Sequence, residues 1–302
     1  MSRVKTAFSV ILSCLFVVTG VSGQDPAPTD SLILPLMDTE ITVNKYQHTE
    51  DKKSGLIFIV LHHNEQTGLR VTKQIVKERG GVLYEVVSTR NGRPVRDLYF
   101  KHNGSEYAID PNRLFTSAGI TKNLRKRHCF EVLTEGDATT TSCSWDRPRF
   151  EEFENLVPGV QRFAESILKL IKPVKDGAIV SVHNNSNYGF SLNSYTHGGA
   201  EWRSSERGIF FGKEDVDNFF LVTNEELFNR LYGKDPSTWD FNIVLQKKPP
   251  NPDDGSLSIY SGRVGLNYIL IEAESNSGAV RQVQMINRVI DAFRSRDSGS
   301  QD

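Results

Sequence analysis

The sequence predicts an α/β fold with a mostly parallel or mixed central sheet and helices on both of its faces. Short apolar segments of strand length alternate along the chain with longer segments whose apolar residues recur at helical spacing. A continuous apolar run is typical of a strand buried on both faces, as strands of a parallel sheet are. The chain has 302 residues, of which 38% are apolar and 24% charged, and no internal repeat. We therefore expect one α/β domain.

The first predicted unit is a strand, a helix and a second strand. Leu56–Leu61 is an apolar run, and Gln66–Arg79 follows with helical spacing. The helix should end at Gly80–Gly81, because glycine readily adopts the left-handed conformation that closes a helix. The stretch "VLYEVVST" at 82–89 is the next strand.

The second half repeats the alternation. Val160–Ile171 predicts a strongly amphipathic helix, and "GAIVSVHN" at 177–184 predicts a strand that ends near a histidine. The remaining elements are a strand or short helix at 217–223, a helix at Asn224–Tyr232, strands at 241–246 and 266–274, and a closing helix at Ala279–Phe293.

The N-terminus predicts a signal peptide over residues 1–23. Arg3 and Lys5 precede an apolar run, Ala7–Val21, and "VSG" offers small residues for cleavage after Gly23. The run is shorter than the roughly 20 apolar residues of a spanning helix, so we expect no stable membrane insertion after cleavage. An uncleaved anchor and a lipoprotein signal at Cys14 are the alternatives. We therefore expect a periplasmic or secreted protein.

The mature chain is predicted to have three parts: an extended N-terminal segment at 24–54, the α/β domain at 55–294, and a disordered tail at 295–302. The formal net charge is −1 with no long block of like charge, so nothing in the sequence calls for a nucleic-acid partner.

Export determines how the cysteines are interpreted. Cys129 and Cys143 remain after signal cleavage, and an even pair in an oxidising compartment predicts a disulfide. The bond would close a loop of about 15 residues and contribute roughly 3 kcal/mol in the chain-entropy model. The alternative is a pair of zinc-binding thiolates, for which the sequence offers no partner cysteine motif.

Polar residues follow three of the predicted strands. His62 and Glu65 come after the first strand, His183 ends another, and Glu272 or Glu274 ends the last. Ligand sites in open α/β sheets lie at the carboxyl ends of strands. Two histidines and one carboxylate are a common zinc ligand set in hydrolases, with a further carboxylate as the base. These residues predict a metal-dependent hydrolase.

Four segments resemble the zinc metallocarboxypeptidase superfamily, in a form most like its succinylglutamate desuccinylase and aspartoacylase branch. They are "HHNE" at 62–65, "YAIDPNRLF" at 107–115, "IVSVHNNS" at 179–186 and "YILIEAESNSG" at 268–278, in the order of the family. The resemblance covers about residues 55–293. It implies a phosphorylase/hydrolase-like fold that cleaves an amide or peptide bond next to a carboxylate-bearing group.

The resemblance also implies roles for individual residues. One Zn²⁺ per chain would be held by His62, Glu65 and His183, with Glu272 (alternatively Glu274) as the base. Asn112 and Arg113 would bind the substrate's carboxylate, Arg96 or Arg93 would steady the oxyanion, and His63 and Asp110 would lie beside the ligands. The sequence departs from the family pattern at His63, where glycine is frequent, and at Pro111, where leucine is common. Tyr260 and Tyr188 are candidates for the pocket tyrosine of the digestive members.

Two further functions fit the sequence. The segments after 179 and 268 also resemble those of zinc N-acetylmuramoyl-L-alanine amidases, which cleave peptidoglycan. An exported, non-catalytic binding domain on the same fold is the other alternative. The expected substrate is a small peptide, an acylated amino acid or a cell-wall fragment. We expect the other histidines to lie at the surface, with His197 in a loop that could edge the pocket; they are His48, His102, His128 and His197.

Overall fold

The computed structural model describes residues 25–48, 55–133, 139–143, 150–186, 190–233, 239–248, 250, 253–275 and 278–294. The predicted signal peptide and the predicted tail at 295–302 lie outside the described residues. Of residues 129–133, 139–143 and 150–152 only the backbone is described.

Nine strands form the main sheet. They are β1 (Asp30–Leu36), β2 (Thr39–Gln47), β3 (Leu56–Val60), β4 (Val82–Val86), β11 (Ala178–Asn185), β12 (Ser205–Ile209), β13 (Phe219–Val222), β14 (Asn242–Gln246) and β15 (Tyr268–Glu274). Three hairpins lie outside it: β5 (Thr89–Arg90) with β6 (Arg93–Pro94), β7 (Leu98–His102) with β8 (Ser105–Ile109), and β9 (Cys129–Leu133) with β10 (Thr139–Cys143). The helices are α1 (Gln66–Arg79), α2 (Ser117–His128), α3 (Phe150–Leu170), α4 (Glu225–Tyr232), α5 (Leu257–Val264) and α6 (Ala279–Arg294).

The strand order is β1-β2-β4-β3-β11-β15-β13-β14-β12. The four central strands, β4, β3, β11 and β15, are mutually parallel, whereas β1, β2 and β12 pair antiparallel with their neighbours and β13 runs antiparallel to β15. The predicted α/β fold with a mixed sheet is therefore confirmed. The parallel centre brings the carboxyl ends of β3, β11 and β15 to one edge of the sheet.

Two apolar cores cover the two faces of the sheet. Alternate residues of β3 contribute to each: Ile59 belongs to the core that includes residues of α2, α3 and α5, whereas Phe58 belongs to the core that includes residues of α1, α4 and α6. Both side chains are fully buried. Burying such a side chain contributes about 1.5–3 kcal/mol, so helix packing on both faces fixes the strands that carry the site. Across the described residues, no helix combines the length and the apolar character needed to cross a membrane.

The N-terminal segment differs from the expected extended lead-in. Its strands β1 and β2 form an antiparallel hairpin, and β2 pairs with β4, so the sheet begins at residue 30 and not at residue 55. Ile41 and Val43 are buried in alternation with more exposed neighbours, as in a strand with one face on the core. That alternation in "TEITVNKYQ" is the signal for a strand.

Two other elements refine the sequence-based bounds. Helix α3 begins ten residues before the predicted Val160 and contains Pro158, a residue that normally discourages helix in a sequence-based prediction. The segment at 217–223, predicted as strand or short helix, contains the strand β13.

In the hairpin of β9 and β10, Cys129 lies opposite Cys143. The side chains of both cysteines lie outside the described residues, and the disulfide stays a prediction.

Candidate metal centre

The sheet topology brings the three predicted ligands to one place. His62 lies two residues beyond the end of β3, and Glu65 precedes the first residue of α1, where its amide donates to the carbonyl of His62 at 3.0 Å. His183 lies near the carboxyl end of β11, which is parallel to β3 and adjacent to it. The turn from strand to helix therefore points His62 and Glu65 towards His183.

The ligand atoms converge. The Nδ1 atom of His62 lies 2.7 Å from Oε1 of Glu65, and Nδ1 of His183 lies 3.0 Å from Oε2 of the same carboxylate. The two Nδ1 atoms are 3.1 Å apart. One donor atom from each residue falls within 4.8 Å of the others, and all three side chains are buried.

This donor set fits a divalent metal ion. Two imidazole nitrogens at such a short separation need a proton or a cation between their lone pairs, and a buried carboxylate needs a positive partner. Two imidazoles and one carboxylate suit Zn²⁺ and leave a position open. The three residues therefore form a group that can hold a metal ion.

Two contacts orient the histidine rings. Oδ1 of Asp110 lies 2.8 Å from Nε2 of His62, and the Ser181 hydroxyl oxygen lies 3.0 Å from Nε2 of His183. Such partners of the second ring nitrogen fix the ring and its tautomer. Both contacts leave Nδ1 facing the common centre. Asp110 thus lies beside a candidate ligand, and so does Ser181, which the sequence-based prediction missed.

The charges of the ligands are mutually stabilised. Burial would raise the pKa of Glu65, but the two neighbouring imidazoles outweigh it and hold that pKa below its usual range. Burial would lower the pKa of His62, and the charge of Glu65 outweighs that effect and raises it. For His183 burial prevails, and its pKa is lowered. The carboxylate of Glu65 is therefore ionised and His183 is readily kept as a neutral ligand.

Glu272 borders the same centre from the neighbouring strand. It lies opposite His183 in the parallel register of β11 and β15, and it is buried. Burial raises its pKa well above the usual value, and the charge of Glu65 raises it further. Among the described residues, Glu272 lines the cavity and Glu274 does not. Glu272 is therefore better placed than Glu274 to exchange a proton at this site.

The cavity has a volume of about 630 Å³. It is lined by the candidate ligands and Glu272, and by polar groups that include Arg96, Asn112 and Arg113. A polar cavity of this size can take a small peptide or an acylated amino acid.

Arg96 reaches the centre, whereas Arg93 lies exposed in β6 outside the lining of the cavity. The guanidinium of Arg96 donates to Oε1 of Glu65 at 3.1 Å and to Oδ2 of Asp110 at 3.3 Å. Its side chain is 44% exposed, so part of the guanidinium remains open to the cavity. Of the two predicted arginines, Arg96 is the one that contacts a candidate ligand and lines the cavity.

Asn112 and Arg113 lie in a short 3₁₀ turn after β8, capped by the side chain of Asp110. Oδ1 of Asn112 accepts from the amide of Leu257 at 3.1 Å, and Nη1 of Arg113 pairs with Oδ2 of Asp254 at 2.7 Å. The sequence-based prediction missed Asp254. The turn signal "DDGS" was available in the sequence, but nothing local indicates that this turn docks against the turn of Arg113.

His63 contacts other groups than those expected. Its Nδ1 lies 2.7 Å from the carbonyl of Ser88, and its Nε2 lies 3.2 Å from the Glu85 carboxylate. Glu85 also accepts from Tyr46 and pairs with Lys73. Among the described contacts, none joins His63 to a candidate ligand, because adjacent residues project to opposite sides of an extended chain. The prediction that His63 lies beside the metal ligands is wrong.

The remaining candidates are two histidines and two tyrosines. His128 is buried, contrary to the expected surface position, because its ring packs between Tyr107 and Phe153, and its Nε2 accepts from the amide of Ala108. His197 is exposed, with its ring centre 5.2 Å from that of Trp202, and does not line the cavity among the described residues. Tyr260 packs against Phe115 and is likewise not part of the lining, and Tyr188 lies outside the described residues.

Comparisons with known proteins found similar structures but no similar sequence. No family model matches the chain. No curated protein matches it either. The murein-tripeptide amidase MpaA from Escherichia coli O157 is 11% identical over 90% of this chain and 94% of its own, with a TM-score of 0.42.

The apo cell shape determinant protein Csd4 from Helicobacter pylori is 12% identical over 85% of this chain and 54% of its own, with a TM-score of 0.43. This chain thus spans about half the length of that protein. Thrombin activatable fibrinolysis inhibitor is 13% identical over 87% of this chain and 68% of its own, with a TM-score of 0.39.

Proposed function

We propose that this chain is an exported, zinc-dependent hydrolase that cleaves an amide or peptide bond next to a carboxylate-bearing group. The observation that carries the proposal is the convergence of His62, Glu65 and His183 beside the buried carboxylate of Glu272. Three ligands and a separate proton acceptor are the groups that metal-assisted hydrolysis requires.

His62, Glu65 and His183 would hold one zinc ion. When bound, zinc lowers the pKa of water and polarises a carbonyl group. Asp110 and Ser181 keep the two imidazole rings in the orientation that presents Nδ1.

Glu272 would move the proton. Its carboxylate accepts a proton from the attacking water and returns it to the leaving nitrogen. Burial raises the pKa of Glu272, so its carboxylate, ionised beside the bound cation, would be a stronger proton acceptor than an ordinary exposed glutamate.

The cations of the cavity would bind the substrate. Arg96 donates towards the carbonyl oxygen, where negative charge develops during the attack. Arg113 binds a carboxylate with its planar, multiple-donor group, and Asn112 adds an amide beside it. Small peptides, acylated amino acids and cell-wall fragments all contain such a bond, and export after cleavage behind Gly23 would place the protein where they occur.

The first experiment measures metal content. The chain from Gln24 onward is analysed by mass spectrometry for zinc, beside His183→Ala and the control His102→Ala, which changes a partly exposed histidine in the hairpin of β7 and β8. We expect about one zinc per chain in the parent and the control, and far less in His183→Ala. Absence of zinc from the parent after reconstitution would contradict the proposal.

The second experiment measures hydrolysis. N-acylated amino acids, short peptides and purified cell-wall digests are incubated with the parent and with Glu272→Gln. The variant should keep its zinc and lose hydrolysis, and 1,10-phenanthroline should inhibit the parent. A parent that binds zinc and small peptides without cleaving any of them would favour the binding-domain alternative.

A further inference from the structure

The arginine assigned to the substrate's carboxylate already has a carboxylate partner. Nη1 of Arg113 lies 2.7 Å from Oδ2 of Asp254, and both residues line the cavity. The Arg113 side chain is 31% exposed and the Asp254 side chain 22%, so the pair stands at the cavity wall and in reach of a ligand. Among the described contacts of Arg113, both side-chain bonds use Nη1, one to Asp254 and one to the carbonyl of Asn112. The Nη2 and Nε atoms of Arg113 remain for a ligand.

The position of Asp254 is fixed by the turn that carries it. Its Oδ1 accepts from the amide of Ser256 at 2.9 Å, so one oxygen binds the backbone and the other binds Arg113. Gly255 has a φ of +78°, and a Cβ there would lie 2.5 Å from the Cα of Gly119. The amide of Phe115 donates to the carbonyl of Gly255. The turn is therefore held against the segment after Arg113, and the ion pair is part of the built cavity.

The wall of the cavity carries both acidic and basic side chains. Apart from the candidate metal ligands, its lining contains three carboxylates, Glu201, Asp254 and Glu272, and two guanidinium groups, Arg96 and Arg113. Leaving aside Glu272, whose raised pKa makes its charge depend on what the site holds, two carboxylates face two guanidinium groups. Arg96 is itself paired with Glu65 and Asp110. A ligand with a single carboxylate would therefore meet arginines that are already neutralised.

The acidic groups act on the same part of the wall. Tyr195 lines the cavity, and burial raises its pKa well above the usual value. The charges of Glu201 and Asp254 raise that pKa further, and the charge of Arg113 opposes them. Tyr195, Glu201, Asp254 and Arg113 all line the same cavity.

We propose that Asp254 is the specificity-determining residue of this cavity, and that it selects a substrate end that carries an ammonium group beside its carboxylate. The carboxylate would bind the remaining donors of Arg113, and the ammonium would bind Asp254, whose two oxygens can accept more bonds than they have. Such a zwitterionic end adds no net charge to a cavity whose arginines are already paired. This inference rests on the proposed function, because it assigns the substrate class of the same site.

The test uses three synthetic ligands that differ in one group each. N-acetyl-alanyl-lysine has both charges, N-acetyl-alanyl-norleucine has a similar side chain without the ammonium, and N-acetyl-alanyl-lysine amide lacks the carboxylate. Binding is measured by calorimetry on the chain from Gln24 onward in the Glu272→Gln background, which prevents turnover. The same titrations are made with Asp254→Asn, which keeps the size of the side chain, and with the control Asp253→Asn, a neighbour outside the lining.

We expect the lysine peptide to bind at least about tenfold more tightly than the norleucine peptide, as one charge-assisted hydrogen bond in a half-buried site would give. Asp254→Asn should abolish that ratio by weakening the lysine peptide and strengthening the norleucine peptide, since it frees Arg113. Asp253→Asn should leave the ratio unchanged. Thermal melting shows whether each variant is folded.

Three results would overturn the inference: equal affinity for the lysine and norleucine peptides, an equal loss of both affinities in Asp254→Asn, or no binding of any ligand. Its failure differs from failure of the proposed function. Hydrolysis without discrimination between the peptides would contradict the role of Asp254 alone. Discrimination that depends on Asp254, in a chain that hydrolyses nothing, would contradict the hydrolase alone.

Discussion

A buried amide of helix α6 joins the two segments that carry the candidate ligands. Gln282 is fully buried, its Nε2 donates to the carbonyl of His183 at 3.0 Å, and its Oε1 accepts from Nδ2 of Asn184 at 3.0 Å. Oδ1 of Asn184 in turn accepts from the amide of Gly68 in α1 at 2.6 Å. This chain of hydrogen bonds connects α6, β11 and the first turn of α1, which follows Glu65.

We expect Gln282→Leu to destabilise the fold and to weaken metal binding. The substitution leaves the carbonyl of His183 and one amide hydrogen of Asn184 buried without their partner, at a cost of about 1–3 kcal/mol for each group. The free energy of unfolding should therefore fall by about 2–6 kcal/mol. Because the backbone of His183 is then less restrained, zinc affinity should fall roughly tenfold. That is the smaller end of the loss of metal affinity that follows when a group orienting a metal ligand is removed.

Two assays separate these effects. Urea denaturation of the metal-free chain measures the loss of stability, and competition with a chromophoric chelator measures zinc affinity at a temperature where all variants are folded. The matched control is Gln284→Leu, the same substitution at an exposed position of α6. Substitution of cobalt for zinc gives a visible spectrum that reports ligand geometry. A Gln282→Leu variant within 0.5 kcal/mol of the parent, with the same cobalt spectrum, would refute the reasoning.

Three other substitutions give further predictions. Burial would raise the pKa of Glu85, but hydrogen bonds from His63 and Tyr46 outweigh it and hold the pKa at about 2, below the ordinary 4.5. The ionised carboxylate therefore stabilises the fold by about 3 kcal/mol at most, and this contribution is present above pH 4.5 and lost as the pH falls towards 2. Glu85→Gln should remove the corresponding fall in the free energy of unfolding at acid pH. An unchanged fall would contradict this. Asp110→Asn should lower zinc affinity about 10–100-fold in a chelator competition, and parent-like affinity would argue against its action on the imidazole of His62. Gly68→Ala should cost about 1–3 kcal/mol in urea denaturation, because the new Cβ would lie 3.0 Å from Oδ1 of Asn184; a stabilised variant would show that the site relaxes.

Much of the parallel centre could be predicted from local patterns. The helix at Gln66–Arg79 has the predicted bounds, because its apolar spacing begins just after the strand and Gly80 ends it. The meeting of His62, Glu65 and His183 follows from the strand-end argument alone, since parallel neighbours bring their carboxyl ends together. These features depend on periodicity and on one topological rule.

The features that sequence reasoning missed depend on docking between distant segments. Asp254 belongs to the cavity because its turn packs on the segment of Arg113, and no local pattern contains that contact. His63 binds Glu85 because β4 lies beside β3, so its role follows from strand order. The hairpin of β1 and β2 joins the sheet through β4. The three prolines between residues 24 and 45, and the position of the hairpin before the first apolar run, gave little reason to expect this pairing.

The parallel pairing of His183 with Glu272 limits how the carboxylate of this site can move to another sequence position during evolution. Side chains along a strand alternate between faces, so a functional group can shift only in steps of two residues, about 6.6 Å in a parallel sheet. Transfer of the carboxylate to Ala273 would send it into the opposite core, and transfer to Glu274 would carry it to the last residue of the strand, outside the lining of the cavity among the described residues. The carboxylate thus has no neighbouring position to occupy gradually, and Glu272→Gln should not be rescued by the glutamate two residues away.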